Sequence, residues 1–248
     1  MNILNFILEK IGYVLKRKQK YDVLLESSRE INDLFELILS KNGGGQCRAQ
    51  LRQDIFALAM NGFKRDGYFV EFGATDGVGL SNTYLLEKDY GWTGILAEPA
   101  KRWHDELTQN RSANLSFDCV WSVSRAELDF SEVDSGVLST VTDFVDSDMH
   151  AKSRRKRNSY KVKSISILDL LDQYNAPKFI DYISIDTEGS EFDILNSFDF
   201  DRYTFNVITV EHNYTENREK IHLLLSRNGY RRVLSHLSKF DDWYLLDR

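Results

Sequence analysis

Short apolar segments alternate with segments of helical periodicity along most of the chain, and this alternation limits the possible folds severely. The segments FVEFG, GILAEP, DYISID and NVITVE are apolar almost throughout, which is typical of parallel strands covered on both faces. Helical patterns separate these segments, as they do in repeated β-α-β units. The sequence therefore predicts a doubly wound α/β domain.

The predicted elements can be bounded from the same patterns. Strands are predicted at 67–73, 93–98, 114–121, 126–130, 180–186 and 205–211, with a final pair at 230–234 and 242–246. Helices are predicted at 47–61, 82–89, 100–110, 166–173, 190–197 and 216–227. A polar region from about 131 to 160 is expected to be irregular, and the last two strands are expected to pair as a hairpin at one edge.

A glycine-rich break divides the 248-residue chain. Apolar residues recur at helical spacing over residues 2–40, and Gly43, Gly44 and Gly45 end the pattern. We therefore expect a helical appendage at 1–45 and a main domain at 46–248. The first helix carries a basic cluster at residues 16–20, so it either lies on the anionic inner membrane or packs on the domain or on a second subunit.

Composition excludes several classes of protein. The formal net charge of −6 argues against a protein that coats nucleic acid, so no nucleic-acid partner is expected. The two cysteines show no metal-ligand spacing, and no apolar run is long enough to span a membrane. Cytoplasmic residence is the expectation, with peripheral contact at the inner membrane as an option for the first helix.

The turn after the first predicted strand has the features of a ligand site. Gly73 and Gly77 permit a sharp turn and close approach of a ligand, at the strand edge where open α/β sheets bind ligands. The dinucleotide pattern GxGxxG is incomplete, because Asn82 stands where its third glycine should be. Glu71 would also repel a pyrophosphate, whereas S-adenosylmethionine (SAM) carries an ammonium and a sulfonium. The turn therefore favours SAM over NAD.

The next two strand ends supply the other expected cofactor contacts. Glu98 ends the second strand and can accept hydrogen bonds from both ribose hydroxyls. Asp118 or the backbone near Val120 would then lie at the adenine edge. The expected cofactor-binding residues are Glu71, Gly73, Ala74, Asp76, Gly77, Glu98, Asp118, Val120 and Asp186.

Three stretches together resemble the FkbM-type methyltransferase family: GYFVEFGATDGVGLSNTYLLE, GILAEP and DYISIDTEGSEFDIL. The resemblance covers roughly residues 50–246. It implies a Rossmann-like class I methyltransferase, with a seven-stranded, mainly parallel sheet, an antiparallel edge strand and N-terminal helices. It also implies SAM-dependent O-methylation of saccharide or natural-product hydroxyls, as in polysaccharide biosynthesis. The turn departs from many class I enzymes, because Ala74 and Thr75 stand where those have a second glycine.

Acidic residues and a histidine follow the fourth and fifth predicted strands. Asp186, Glu211 and His212 should meet at one sheet edge beside the cofactor. In one hypothesis His212 or a carboxylate takes the proton of the acceptor hydroxyl. In the other, Asp186, Glu211 and His212 or Asn213 hold a divalent cation such as Mg²⁺ that lowers the hydroxyl pKa. Glu188 is placed on the acceptor side, although it and Glu191 would alternatively cap the next helix.

A basic run, His150 to Lys163, contains no acid. Arg154, Arg155 and Arg157 are its candidate acceptor-side residues, contacting a phosphate, an acidic sugar or a lipid-linked saccharide; the alternative is a solvated loop. Other possible functions are methylation of protein or RNA on the same fold, or SAM binding without catalysis. Asp186, Glu211 and His212 disfavour the last, since a pure binder needs no proton acceptor. A homo-oligomer is possible.

Overall fold

In the computed structural model, the described residues are 28–133, 140–141 and 157–247. The helices are α1 Ser28–Lys41, α2 Gln53–Met60, α3 Tyr84–Tyr90, α4 His104–Asn110, α5 Ile167–Gln173, α6 Glu191–Asn196 and α7 Asn217–Arg227. The strands are β1 Tyr68–Phe72, β2 Thr93–Ala97, β3 Asn114–Ser116, β4 Cys119–Val120, β5 Glu127–Val133, β6 Thr140–Val141, β7 Arg157–Ile165, β8 Phe179–Ile185, β9 Thr204–Glu211, β10 Tyr230–Val233 and β11 Asp241–Leu246. Among the described helices, none is long and apolar enough to cross a bilayer.

The main sheet has seven strands in the order β10-β11-β9-β8-β1-β2-β3. Its strands are parallel except β11, which pairs antiparallel with both β9 and β10. The predicted α/β class, the mainly parallel seven-stranded sheet and the terminal hairpin are confirmed. Within that hairpin the antiparallel strand is the inner one, so β10 forms the edge of the sheet.

The register of the central strands brings four strand ends level. Phe72 pairs with Ala97 on one side and Ile185 on the other, and Ile185 pairs with Val210. The side chains of these strands are buried, in agreement with a sheet covered on both faces. The residues that come next are Gly73, Glu98, Asp186 and Glu211.

A second sheet corrects the prediction for the middle of the chain. The single strand predicted at 114–121 is in fact two strands: β3 joins the main sheet, whereas β4 joins a four-stranded sheet in the order β4-β7-β5-β6. The region predicted as irregular up to residue 160 contains β6 and the start of β7. This sheet buries a small apolar core, formed by Ala100, Cys119, Phe130, Val141 and Val162.

Helix α1 packs on the main domain although it precedes the glycine-rich break. Phe35, Ile38 and Leu39 are buried in the same apolar cluster as Phe56 and Trp243. The Trp243 ring stacks on Phe56 at 4.6 Å and meets the edge of Phe35 at 6.3 Å. The domain boundary at residue 45 stays a prediction, and the predicted membrane-binding helix with its basic cluster lies outside the described residues.

Two truncations distinguish an appendage from a part of the core. Removing residues 1–45 should lower the melting temperature by roughly 10 °C or more, because Phe35, Ile38 and Leu39 each stabilise the fold by about 1.5–3 kcal/mol. Removing only residues 1–27 keeps α1 and serves as the control. Melting curves of the three proteins test this, and equal melting temperatures would instead support a separable segment 1–45.

Candidate functional site

A cavity of about 320 Å³ opens at the edge where the central strands end. Its floor is the turn after β1, one wall comes from β2 and the second sheet, and the opposite wall comes from the loops after β8 and β9. Gln53, the first residue of α2, and Gln50, in the segment before it, also line the cavity. The cavity therefore occupies the position where open parallel sheets hold their ligands.

The floor requires a glycine at position 73. Gly73 has a φ of +78°, and a Cβ there would lie 2.1 Å from the carbonyl oxygen of Asp186. The turn continues through Thr75, whose backbone N–H donates to Glu98 at 2.8 Å. Gly73 and Thr75 both line the cavity, so this turn presents backbone to a ligand.

Glu98 is the buried acid of the second wall. Its two carboxylate oxygens accept hydrogen bonds from the N–H groups of Thr75 and Ala100, each at 2.8 Å. Burial raises the pKa of Glu98 to about 7, against the two backbone hydrogen bonds, which lower it. Each oxygen keeps a lone pair that can accept a ligand hydroxyl from the cavity.

The rest of this wall is apolar and comes from the second sheet. Val120, Phe130 and Val141 line the cavity together with Cys119. Val120 lies where it was predicted, whereas Asp118 does not line the cavity. Phe130 and Val141 were missed: Phe130 ends a predicted strand that was not assigned to the site, and Val141 lies in the region that reads as polar and irregular. This wall suits a flat, weakly polar ring such as adenine.

Glu71 lines the cavity, but its carboxylate is used mainly by the chain itself. It accepts hydrogen bonds from Ser81 Oγ at 3.0 Å and Asn82 N at 2.7 Å, and also from the Thr83 hydroxyl. Burial raises the pKa of Glu71, while the guanidinium of Arg111, 3.9 Å away, opposes the rise. Glu71 therefore fixes the loop over the cavity, which carries Ser81, Asn82 and Thr83, in addition to any electrostatic effect on a ligand.

Arg111 completes this loop and was not found from the sequence. It lies just after α4, and its side chain is fully buried. It donates to the Gly77 carbonyl at 3.0 Å, Thr83 Oγ1 at 2.9 Å and Glu87 at 2.8 Å. No local pattern signals such a role, because its partners lie 24 to 34 residues earlier in the chain.

Three predicted cofactor residues serve the loop rather than the cavity. A Cβ at Gly77 would lie 2.6 Å from the Arg111 side chain, so the glycine accommodates that arginine. Asp76 accepts hydrogen bonds from the N–H groups of residues 78 and 79, at 2.8 and 2.7 Å, and Ala74 is buried. The structure does not bring Ala74, Asp76 or Gly77 to the cavity surface.

The opposite wall carries a group of carboxylates. Oxygens of Asp186, Glu188 and Glu211 lie within 4.8 Å of one another. Burial, with Glu191 nearby, raises the pKa of Asp186 to about 7. Burial and the Asp186 carboxylate raise the pKa of Glu211 well above its ordinary value. Among the described residues, no lysine or arginine forms an ion pair with Asp186 or Glu211. Near neutral pH this pair is therefore suited to share a proton.

Glu188 and Glu191 differ in what they contact. The Glu191 carboxylate accepts hydrogen bonds from the backbone N–H groups of Thr187 and Gly189, at 2.9 and 3.0 Å, so it organises the loop before α6. Glu188 lines the cavity, with its backbone in the left-handed region at a φ of +61°. Glu191 therefore holds the loop that leads into α6, whereas Glu188 faces the ligand side.

His212 is not brought together with the carboxylates. Successive side chains of a strand point to opposite faces, so Glu211 faces the cavity and His212 faces away from it. Its Nδ1 accepts the backbone N–H of Tyr214 at 3.0 Å, and its Nε2 lies 3.8 Å from Asp242. Burial lowers the pKa of His212 although Asp242 opposes this. This placement corrects the expectation that His212 acts as a direct base or joins the metal-ligand set.

The basic run is described only at its end. Arg154 and Arg155 lie outside the described residues, and Arg157 begins β7. Lys161 pairs with Asp129 at 2.8 Å, and Lys163 stands opposite Glu127 in the β5–β7 ladder. Acidic side chains on β5 therefore offset the positive charge of the described lysines. An acceptor-side role of the arginines stays a prediction.

The chain is similar in structure to two solved proteins. One is a precorrin-6Y C5,15-methyltransferase from Geobacter metallireducens, at 12% identity over 73% of this chain and 72% of that chain, with a TM-score of 0.42. The other is a Methanococcus jannaschii fibrillarin pre-rRNA processing protein, at 11% identity over 91% and 77%, with a TM-score of 0.35. Likenesses this distant say nothing about the acceptor.

No curated protein matches the sequence. The family model for the methyltransferase FkbM domain matches residues 71–232, which is more than half of the chain. That span includes the floor of the cavity, Glu98 and the carboxylates of the far wall. The chain belongs to the FkbM methyltransferase family and is a SAM-dependent methyltransferase.

Proposed function

We propose that this enzyme methylates a hydroxyl group of a saccharide or a related small molecule. The observation that carries the proposal is the Asp186–Glu211 carboxylate pair, which lies at the cavity wall and has raised pKa values. A hydroxyl is a very weak acid, so a group must take its proton as the new carbon–oxygen bond forms. Carboxylates whose pKa is raised by burial are stronger bases than ordinary carboxylates and are suited to this.

The cavity fits SAM by the chemistry of its walls. Glu98 would accept the ribose hydroxyls, and the apolar wall with Val120 and Phe130 would cover the adenine. The acidic wall would favour the ammonium and the sulfonium. SAM supplies an activated methyl group, since its sulfonium leaves as a neutral thioether.

The reaction then needs alignment and a proton acceptor. The hydroxyl oxygen bonds to the methyl carbon as the carbon–sulfur bond breaks, and the hydroxyl proton passes to the Asp186–Glu211 pair. Holding the two reactants in line can contribute roughly 7–11 kcal/mol, and the base a further factor of about 10²–10⁴. A divalent cation at Asp186, Glu188 and Glu211, whose oxygen spacing suits one, is the alternative way to lower the hydroxyl pKa.

The setting of the cavity supports a small acceptor. Its acidic wall and the net charge of −6 disfavour RNA, and a pure SAM binder would not need the carboxylate pair. Methylation of protein hydroxyls is the remaining rival. A lipid-linked acceptor, contact of the N-terminal helix with the inner membrane, cytoplasmic residence and a homo-oligomer belong to the proposal on sequence grounds alone.

A transfer assay with a binding control tests the function. The protein should convert SAM to S-adenosylhomocysteine only when a saccharide with free hydroxyls is present, and mass spectrometry should locate the methyl group on that saccharide. Glu98→Ala should weaken SAM binding by about 1.5–3 kcal/mol in calorimetric titration, the cost of losing hydrogen bonds to a charged group. Glu106→Gln, an exposed substitution on α4, is the matched control. Transfer to polypeptides and to no saccharide would refute the acceptor class, and an unchanged SAM affinity in Glu98→Ala would remove the ribose role.

A further inference from the structure

We propose that the Tyr214 ring is a platform for the acceptor at the cavity mouth, and that His212 is the positioning residue that holds it. The ligand class is a pyranose-like ring, with an apolar C–H face and hydroxyls along its edge. The inference deepens the proposed function, on which its choice of ligand rests. It assigns to His212 a role different from that of a base.

Tyr214 is the most exposed large hydrophobic side chain in the described part of the chain. Its relative exposure is 62%, and it lines the cavity beside the carboxylate wall. Leu80, 47% exposed, lines the cavity from the loop over the floor. Exposed apolar side chains that line a cavity mark a ligand surface more often than isolated ones do.

The backbone at Tyr214 is held in an unfavourable conformation. Asn213 and Tyr214 both lie in the left-handed region, with φ values of +44° and +57°. Such a conformation is unfavourable for a side chain like tyrosine and persists only where the surroundings impose it. The surroundings here are His212 and the residues that fix it.

His212 contacts Tyr214 through its backbone and its ring. Its Nδ1 accepts the Tyr214 N–H at 3.0 Å, and the two rings meet edge to face at 5.4 Å with an interplanar angle of 76°. The His212 carbonyl accepts the N–H of Thr215 at 2.8 Å, which closes the turn. For Nδ1 to accept this hydrogen bond, the ring carries its proton on Nε2.

The imidazole packs against a buried carboxylate on its far side. Its Nε2 lies 3.8 Å from Asp242 on β11, beyond hydrogen-bond distance, so this contact is one of packing and electrostatics. Arg218 of α7 binds Asp242 with two hydrogen bonds of 2.9 and 2.8 Å, and Arg232 of β10 adds one of 3.1 Å. The fold thus connects two arginines, Asp242, His212 and Tyr214 in one path from α7 to the cavity mouth.

The ligand class follows from the two surfaces that meet at the mouth. An aromatic face suits the C–H face of a sugar ring, because a tyrosine offers a large rigid contact area. The neighbouring carboxylates accept hydrogen bonds from hydroxyls on the ring edge. A fully apolar acceptor would offer these carboxylates no further hydrogen-bond donors, which favours a ring that is polar at its edge.

Ligand-detected saturation-transfer NMR with methyl α-glucopyranoside tests the platform without turnover. The C–H protons of the glycoside should receive saturation from the wild-type protein and from Tyr214→Phe. The signal should fall about tenfold with Tyr214→Ala. Equal signals for the wild type and Tyr214→Ala, in proteins with the same melting temperature, would overturn the platform. This outcome is readable even if no methyl transfer to saccharides is found, so the two proposals fail separately.

Two substitutions of the histidine test positioning against catalysis. His212→Asn keeps an oxygen acceptor for the Tyr214 N–H, whereas His212→Leu removes it. With the saccharide found in the transfer assay, His212→Leu should raise the acceptor KM about tenfold, and His212→Asn should restore it toward the wild-type value. The pH profile of kcat should be the same in all three proteins. A loss of kcat in both variants, or a changed pH profile, would overturn the positioning role and return His212 to the chemistry.

Discussion

Replacing Glu211 by glutamine should lower kcat by about 10²–10⁴-fold while leaving SAM affinity nearly unchanged. The reason is that Glu211 and Asp186 form the carboxylate pair at the wall where the acceptor proton must go. Glutamine has nearly the same shape, so it should preserve the packing at the end of β9. Stopped-flow or steady-state transfer assays give kcat, and calorimetry gives the SAM dissociation constant.

Although Glu211→Gln should lower kcat, it should raise the thermal stability of the protein. The pKa of Glu211 is higher in the folded protein than in the unfolded chain. As the pH rises above the pKa of the unfolded chain, the unfolded state loses this proton more readily than the folded state, and the folded protein becomes less stable. Glutamine cannot ionise. We therefore expect Glu211→Gln to raise the melting temperature at pH 8 and to leave it nearly unchanged at pH 4, where both states hold the proton.

Further experiments distinguish a carboxylate that takes the hydroxyl proton from a divalent cation that lowers the hydroxyl pKa. Asp186→Asn should also lower kcat, whereas Glu106→Gln, which is exposed on α4, should not. If a divalent cation lowers the hydroxyl pKa, EDTA should abolish transfer and Mg²⁺ should restore it; indifference to EDTA leaves the carboxylate base. Full activity of both Glu211→Gln and Asp186→Asn would remove the reaction centre from this wall.

The parallel sheet could be predicted because its strands are buried on both faces. Segments such as DYISID show this burial directly in their composition, and alternation with helices then fixes the class of fold. The second sheet could not be predicted in this way. Its strands pair β5 with β7 across some 30 residues of polar sequence, and a ladder with one exposed face leaves a weaker pattern.

The candidate site was predictable to the extent that it depends on strand ends. Gly73, Glu98 and Asp186 follow three parallel strands and Glu211 ends a fourth, so the topology alone brings them to one edge. His212 is one residue further, and the two-residue period of a strand turns it to the other face. Whether a strand continues for one residue more lies within the error of boundary prediction, so sequence could not decide it.

The role of Arg111 could not be predicted from the sequence, because its partners are distant in the chain. Its replacement is expected to have a large effect on the stability of the protein. Arg111→Met should destabilise the protein by about 3–5 kcal/mol, the usual cost of removing one member of a buried ion pair. It would leave Glu71 without its cation and Glu87 with only its pair to Lys88, and it would deprive the loop that carries Ser81 and Thr83 of its donor. Chemical denaturation measures the free energy of unfolding, and calorimetry should show weakened SAM binding.

The pH dependence and a second substitution identify the cause of that loss. Arg111 opposes the rise in the pKa of buried Glu71, so removing the arginine should raise the pKa of Glu71 further. The variant should then lose stability as the pH rises from the pKa of Glu71 in the unfolded chain to its pKa in the folded variant. The deficit of Arg111→Met should therefore be larger at pH 8 than at pH 5. Adding Glu71→Gln removes the stranded charge and should recover part of the deficit at pH 8, since neutral partners cost less to bury than an unpaired carboxylate. If the single and double variants have the same stability at both pH values, packing of the arginine side chain against the loop, and not its charge, is what stabilises the floor of the cavity.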